Sequence, residues 1–85
     1  MSQTISVTLK LYASLGAYLP PGAERNVASV EAQPGATVQS LLDSQNVPRE
    51  ACHLVLLNGI FLPRERRASA MLSDGDAVAV WPPVA

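Results

Sequence analysis

The chain has 85 residues, of which 6 are basic, 7 are acidic and 48% are hydrophobic. This length accommodates one domain, and the apolar content is sufficient for a hydrophobic core, which excludes a disordered chain. The near-neutral charge argues against a nucleic-acid binder that neutralises many phosphates. No segment approaches the roughly 20 apolar residues of a membrane span. We therefore expect neither a nucleic acid nor a membrane among the partners.

The N-terminus and the cysteine content indicate a cytoplasmic protein. Residues Met1 to Ile5 show no basic region followed by an apolar run, so no secretory signal is expected. The single cysteine, Cys52, has no partner for an internal disulfide and is interpreted as a small buried hydrophobe. With one adjacent histidine, His53, it does not supply the ligands of a metal site. The sequence suggests no cofactor.

The first half of the chain predicts two strands and a helix. Apolar and polar residues alternate from Thr4 to Ala13, which is typical of a half-buried strand. The apolar face of this strand comprises Ile5, Val7, Leu9 and Leu11. Residues Arg25 to Ala32 are interpreted as a second strand that pairs with the first as a hairpin. Thr37 resembles a helix N-cap, and a helix of about nine residues follows, with an apolar stripe that comprises Val38, Leu41 and Leu42.

The second half predicts three strands. His53 to Leu57 is an apolar strand, and Asn58-Gly59 is the strongest hairpin-turn signal in the chain. Ile60 to Leu62 returns as a short strand. Asp74-Gly75-Asp76 is interpreted as a tight turn, because aspartate and glycine supply the required backbone geometry. Ala77 to Trp81 is the final strand, short and rich in valine, which suits the centre of a sheet.

The order of elements is strand, strand, helix, strand, strand, strand. A helix packed on one face of a mixed sheet buries both apolar faces, and placing the last strand beside the first gives a β-grasp. We expect an α+β, ubiquitin-like β-grasp with about five strands and one main helix. Residues 1–81 would form this domain. Residues 82–85 would form an extended C-terminal tail, because Pro82 and Pro83 lack backbone donors and leave the sheet.

The C-terminal half resembles a known family. The run Leu-Ser-Asp-Gly-Asp-Ala-Val at 72–78, followed by Trp-Pro-Pro-Val-Ala at 81–85, resembles the ubiquitin-like sulfur carriers. These include the small subunit of molybdopterin synthase and the sulfur carrier of thiamine biosynthesis. The helix entry at 34–38 matches as well. The resemblance implies that an ATP-dependent adenylating enzyme of the ubiquitin-activating type activates the terminal carboxylate. Sulfur is then carried as a thiocarboxylate to a partner enzyme, such as the large subunit of molybdopterin synthase.

By this resemblance the sulfur-carrying end is the tail Pro82, Pro83, Val84 and Ala85. Family members end in Gly-Gly, because a narrow enzyme channel admits bare backbone, whereas this sequence stops at Ala85. Either the native protein carries two further glycines, or it is a carrier-like domain that has lost the reaction. Three functions stay open: a sulfur carrier for the pterin of molybdenum or tungsten cofactors, a non-catalytic interaction module, and a modifier joined to lysines.

Three aromatic residues fall outside the predicted core. Tyr12 lies on the polar face of the first strand, Trp81 is out of phase with the valines of the last strand, and Phe61 follows the predicted hairpin turn. If the two strands are neighbours, Tyr12 and Trp81 share the sheet face away from the helix. Exposed aromatic clusters mark binding surfaces, so we interpret these three residues as partner-binding. Alternatively, Phe61 and Tyr12 close a minor core under residues 63–70.

A short basic run follows Phe61. Arg64, Arg66 and Arg67 surround Glu65 in a polar segment that predicts no regular structure. Such a run is either a solvated loop or a surface that steers an acidic partner, and we include the three arginines among the partner-binding candidates. The sequence shows no recognisable nucleophile, metal motif or phosphate motif. We therefore expect a carrier or a non-catalytic subunit rather than an enzyme.

Overall fold

The computed structural model describes residues 3–83. The strands and the helix are β1 (Ile5–Leu11), β2 (Val27–Ala32), α1 (Val38–Ser44), β3 (Leu54–Leu57), β4 (Ile60–Phe61) and β5 (Ala77–Trp81). Short 3₁₀ helices lie in the connections, at Ala13–Tyr18, Arg49–Ala51 and Arg64–Arg66. The seven-residue α1 is the longest helix in this part of the chain, and none there is long and apolar enough to cross a membrane.

The five strands form one mixed sheet in the order β2-β1-β5-β3-β4. Strand β1 runs antiparallel to β2 and parallel to β5. Strand β3 runs antiparallel to both β5 and β4. The last strand therefore lies at the centre, next to the first strand. This order confirms the predicted β-grasp and the predicted position of the final strand.

The hydrophobic core lies between α1 and one face of the sheet. Its fully buried residues come from the helix and from alternate positions of β1, β3 and β5, and they include Val7, Leu9, Leu11, Val38, Leu42, Val55, Val78 and Val80. Burying one such side chain contributes about 1.5–3 kcal/mol. The alternation that predicts β1 in the sequence is therefore the alternation of burial in the fold.

Helix α1 begins at the predicted cap. The Thr37 hydroxyl accepts a hydrogen bond from the Ser40 amide at 3.1 Å, and the Ser40 hydroxyl accepts one from the Thr37 amide at 2.8 Å. This reciprocal pair satisfies two donors that a helix N-terminus otherwise leaves free. The helix ends sooner than predicted, at Ser44, and Asn46 follows in the left-handed region with φ of 63°.

Strand β2 also differs from its predicted bounds. It begins at Val27 rather than Arg25, because Arg25 and Asn26 have φ values of 51° and 67°, which no strand residue adopts. Asn26 tolerates this conformation and uses its side chain, whose amide donates to the Leu11 carbonyl at 2.8 Å. These two residues therefore form a turn that sets the register between β1 and β2.

Candidate functional site

Tyr12 and Trp81 meet at one end of the sheet. Their rings are stacked, with centroids 4.6 Å apart and planes inclined by 16°. The parallel register pairs Leu11 with Val80, and the Tyr12 amide donates to the Val80 carbonyl at 3.1 Å, so both rings project from the same face. A stacked aromatic pair contributes about 0.5–1.5 kcal/mol beyond its buried area. The structure thus brings together the two aromatics that the sequence places on one face.

An apolar surface continues from this pair across the face opposite α1. The register aligns Leu54 with Trp81, and Leu56 with both Ala79 and Phe61. Residues opposite one another in a sheet share a face. We call this surface the outer patch, and it comprises Tyr12, Leu54, Leu56, Phe61, Ala79 and Trp81. Phe61 is 57% exposed, and the other five are half-buried.

Leu54 and Leu56 are members of the outer patch that sequence reasoning missed. Strand β3 reads Leu-Val-Leu-Leu, an uninterrupted apolar run that does not reveal which residues face the core. Val55 is fully buried, and its two neighbours point away from the core. The uniformly apolar composition of β3 was the available signal for these two residues. A strand without polar residues is typical of a position in which both faces are covered.

The three arginines of the basic run at 64–67 have different environments in the structure. Arg64 and Arg66 are exposed on the connection after β4. Arg67 is only 3% exposed, which corrects its prediction as a partner-binding residue. Its Nη1 donates to the Cys52 carbonyl at 2.8 Å and its Nη2 to the His53 carbonyl at 3.3 Å. A guanidinium held inside the protein in this way does not reach a partner.

Arg67 supports the segment that holds the end of β5. Burial lowers the pKa of its guanidinium, and the nearby charge of Arg64 lowers that pKa further. Within residues 3–83 its Nε has no hydrogen-bond partner. The His53 amide, next to the carbonyls that Arg67 binds, donates to the Trp81 carbonyl at 3.0 Å. Arg67 is therefore connected to the end of β5 through the backbone of residues 52–53.

The acidic turn before β5 is held by its own carboxylates. Asp74 Oδ1 accepts from the Ser6 amide at 2.7 Å, which ties the turn to β1. Asp76 accepts from the Asn58 side-chain amide at 2.9 Å and from the Ser73 amide at 2.8 Å. These bonds agree with the sequence interpretation of the two aspartates as turn residues. They also fix the start of the strand that carries Trp81.

The chain leaves the sheet beside the outer patch. Strand β5 ends at Trp81, and the half-buried Pro82 and exposed Pro83 follow outside any strand. Neither proline has an amide hydrogen to pair with a neighbouring strand. The other two residues of the predicted tail, Val84 and Ala85, lie outside the described residues. The described start of the tail thus projects from the central strand.

The free thiol of Cys52 takes no part in this surface. It is 1% exposed, and burial raises its pKa. Its Sγ lies 3.5 Å from the Pro48 carbonyl. A thiol with a raised pKa is a poor nucleophile, which agrees with its interpretation as a small core residue.

Several solved structures share this architecture. The HVO 2177 protein of Haloferax volcanii is 28% identical, with a TM-score of 0.71 over 96% of this chain and 86% of that one. Small archaeal modifier protein 1 of the same organism is 23% identical, with a TM-score of 0.68 over 94% and 99%. The thiamine biosynthesis protein ThiS of Geobacter metallireducens is 23% identical, with a TM-score of 0.59 over 92% and 96%.

The sequence itself identifies the family. No curated protein sequence matches the chain significantly. The Mut7-C ubiquitin family, however, matches residues 4–85, which include every strand and the helix. The predicted membership of a ubiquitin-like family is thereby confirmed, together with the β-grasp shared with ThiS and the archaeal modifier. This chain belongs to the Mut7-C ubiquitin family.

Proposed function

We propose that the protein is a ubiquitin-like sulfur carrier. Residues 82–85 are its tail, an ATP-dependent enzyme adenylates the terminal carboxylate, and the tail then carries sulfur as a thiocarboxylate. One observation carries this proposal: the central strand β5 runs directly into Pro82 and Pro83 at the edge of an apolar, aromatic surface. A tail that leaves the sheet beside a docking surface enters a partner's active site while the body of the carrier is bound.

The outer patch is the surface on which the body docks. Interfaces are enriched in tryptophan, tyrosine and phenylalanine, and buried aromatic anchors contribute most of the binding energy. Trp81 has the anchor position, because it is stacked on Tyr12 and is the last strand residue before the tail. The exposed Arg64 and Arg66 belong to the connection that follows Phe61, and they steer an acidic partner toward this face.

The proposed pathway is synthesis of the pterin that binds molybdenum or tungsten, in the cytoplasm. The activating enzyme and the sulfur-accepting enzyme would use the same patch in turn, because each must receive the same tail. The accepting enzyme would be of the type of the molybdopterin synthase large subunit. The carrier contributes no catalytic group of its own. Its role is to present one carboxylate, or thiocarboxylate, at a fixed distance from a docking surface.

The intact mass of the protein isolated from its native cell tests the carrier proposal. We expect two glycines beyond Ala85 and a fraction of molecules in which sulfur replaces one terminal oxygen. A molecule that ends at Ala85, and that the activating enzyme neither adenylates nor thiolates, would contradict the proposal. That result would leave a docking module that binds through the outer patch.

A protein modifier is the second candidate. The observation that favours it is the likeness to small archaeal modifier protein 1, with a TM-score of 0.68. A modifier shares the adenylation step but ends in a bond to a lysine of another protein. Immunoblots of native cells separate the two functions. A ladder of larger conjugates supports the modifier, whereas free protein with a sulfur-containing terminus supports the carrier.

A further inference from the structure

We propose a second docking site, at the β2 edge of the sheet. There the protein takes up an extended segment of a partner protein as an added strand, and the segment carries a lysine or arginine. This site is separate from the outer patch and from the tail, and nothing in the carrier proposal requires it. Three features carry the inference: unpaired backbone groups, an adjoining groove and one uncompensated carboxylate.

The unpaired groups follow from the register of β2. The Leu11 amide donates to the Asn26 carbonyl at 2.9 Å, and bonds to β1 then recur at every second residue of β2. The amides and carbonyls of Ser29 and Glu31 consequently point away from β1. No described residue forms a backbone hydrogen bond with these four groups. They are spaced as an incoming strand requires.

Strand β2 is the less protected of the two edges of the sheet. Natural edge strands are kept short or carry lysine, proline or a bulge, which prevents pairing with another chain. The opposite edge, β4, has only two residues. Strand β2 has six, in the sequence Val-Ala-Ser-Val-Glu-Ala. The outward groups of Val27 are bonded to Glu24, whereas Ser29 and Glu31 are both exposed. The open part of the edge therefore runs from Ser29 to the end of the strand.

A groove adjoins this edge. It has a volume of about 530 Å³ and lies between the end of β2, the turn that follows and α1. Its lining includes Glu31, Ala32, Pro34, Ala36, Ser40 and Leu41. Alternate side chains of an added strand point to the same face, so a strand on β2 directs every second side chain toward α1. The groove accommodates one or two such apolar side chains.

Glu31 decides the chemistry of the partner. Its side chain lies on the face of the sheet opposite α1, because the neighbouring Val30 is the β2 residue that is buried toward the core. The Glu31 carboxylate accepts a hydrogen bond from the Thr4 hydroxyl at 2.7 Å, and no other described residue that borders the groove is charged. No described cation forms an ion pair with it. A lysine or arginine on the added strand supplies the missing charge. A second copy of this chain would instead bring another Glu31 to the same face, and like charges in neighbouring positions repel.

Peptide selection tests the site. A phage-displayed library of random peptides of roughly ten residues is selected against the whole protein, and the amide chemical shifts of the complexes are recorded. We expect selected peptides with alternating β-branched residues and a lysine or arginine. The shift changes should be confined to β2, the turn at 33–36 and α1. Ser29→Pro removes one outward amide and should weaken binding about tenfold or more, whereas the matched Ser29→Ala should leave it nearly unchanged.

A measurement on the peptide does not depend on the folding of a variant. Methylation of alternate backbone nitrogens of a selected peptide should abolish binding in one phase and leave it intact in the other, because only one edge of a strand bonds to β2. Glu31→Lys should shift the selected charge from basic to acidic. The proposal is overturned if no peptide is selected, if binders move the shifts of Tyr12 and Trp81, or if sedimentation shows a dimer through β2.

Discussion

At the scale of single residues, Trp81 is the proposed anchor of the outer patch. Its ring is half-buried in the free protein and stacked on Tyr12, so it presents a preformed surface to a partner. We expect Trp81→Ala to weaken binding to the activating enzyme by about 2 kcal/mol or more, as truncation of an anchor does. Isothermal titration calorimetry with the two purified proteins measures this change.

The matched control for Trp81 is Ile60→Ala. Ile60 is more exposed, at 72%, but its register with Leu57 places it on the other face of the sheet. Its truncation should leave binding unchanged. One outcome of Trp81→Ala would contradict its role as an anchor. Unchanged binding with a loss of about 3 kcal/mol in the free energy of unfolding would make Trp81 a core residue, and the outer patch would then lack its anchor.

Arg67 is expected to contribute to stability rather than to binding. Arg67→Met keeps much of the apolar stem but leaves the Cys52 and His53 carbonyls without their donor. An unsatisfied buried carbonyl costs about 1–3 kcal/mol, and removal of the buried charge offsets part of that cost. We expect a net loss of about 2 kcal/mol in the free energy of unfolding, measured by urea denaturation.

Arg66→Met is the control for Arg67, because Arg66 lies in the same basic run and is exposed. It should change stability by less than about 0.5 kcal/mol. Equal effects of the two substitutions would show that the bonds from Arg67 to the carbonyls contribute nothing. The sequence did not predict this difference. A run of arginines beside a glutamate is typical of a solvated loop, and the two carbonyls that bind Arg67 belong to another part of the chain.

At the scale of elements, the turn before β5 makes the free energy of unfolding depend on pH in the acidic range. The hydrogen bond from the Asn58 side chain, followed by the bond from the Ser73 amide, lowers the pKa of Asp76. Because the folded-state pKa lies below the unfolded-state pKa, this stabilisation is complete above about pH 4 and is lost as the pH falls further. Asp76→Asn should therefore flatten the pH dependence of the urea midpoint below about pH 4.

Glu65→Gln is the control for the acid dependence, since Glu65 is an exposed carboxylate in the same connection between β4 and β5 and has no side-chain hydrogen bond among the described residues. Its pH profile should follow that of the wild type. If Asp76→Asn kept the wild-type slope of the urea midpoint against pH, the turn would not be the acid-sensitive element. Solvent exposure of Asp76 screens the effect, so the expected change is a difference in slope and not complete acid resistance.

The elements show which features of the fold a sequence specifies. Strand β5 has its predicted bounds, Ala77–Trp81, because the acidic turn and the double proline mark both ends. The strand predicted at Arg25 to Ala32 is two residues longer than β2, because the sequence gives no signal for the positive φ of Arg25, although the following Asn26 tolerates that conformation. The sequence does not indicate which face Leu54 and Leu56 occupy, since an uninterrupted apolar run has no period. Local turn chemistry was therefore predictable, whereas the faces of uniformly apolar strands depend on their neighbours.

At the scale of the whole molecule, the strand order separates the two proposed surfaces. The β2 edge and the central β5 lie two strand positions apart in the sheet. Neighbouring strands are about 4.8 Å apart, so roughly 10 Å of sheet lies between them. Between them, the core under β1 is fully buried at Val7, Leu9 and Leu11. Both surfaces can be occupied together.

This separation predicts that the two binding events are independent. Ser29→Pro should leave the affinity for the activating enzyme unchanged, and Trp81→Ala should leave the affinity for a β2-selected peptide unchanged. The free-energy effects of substitutions at distant sites without shared partners add to within about 0.5 kcal/mol. The double variant should therefore show the sum of the two single effects. Titration of the enzyme in the presence of saturating peptide measures the coupling directly. A shift in enzyme affinity, matched by the same shift in peptide affinity, would show that β1 transmits strain across the sheet, because such coupling is reciprocal.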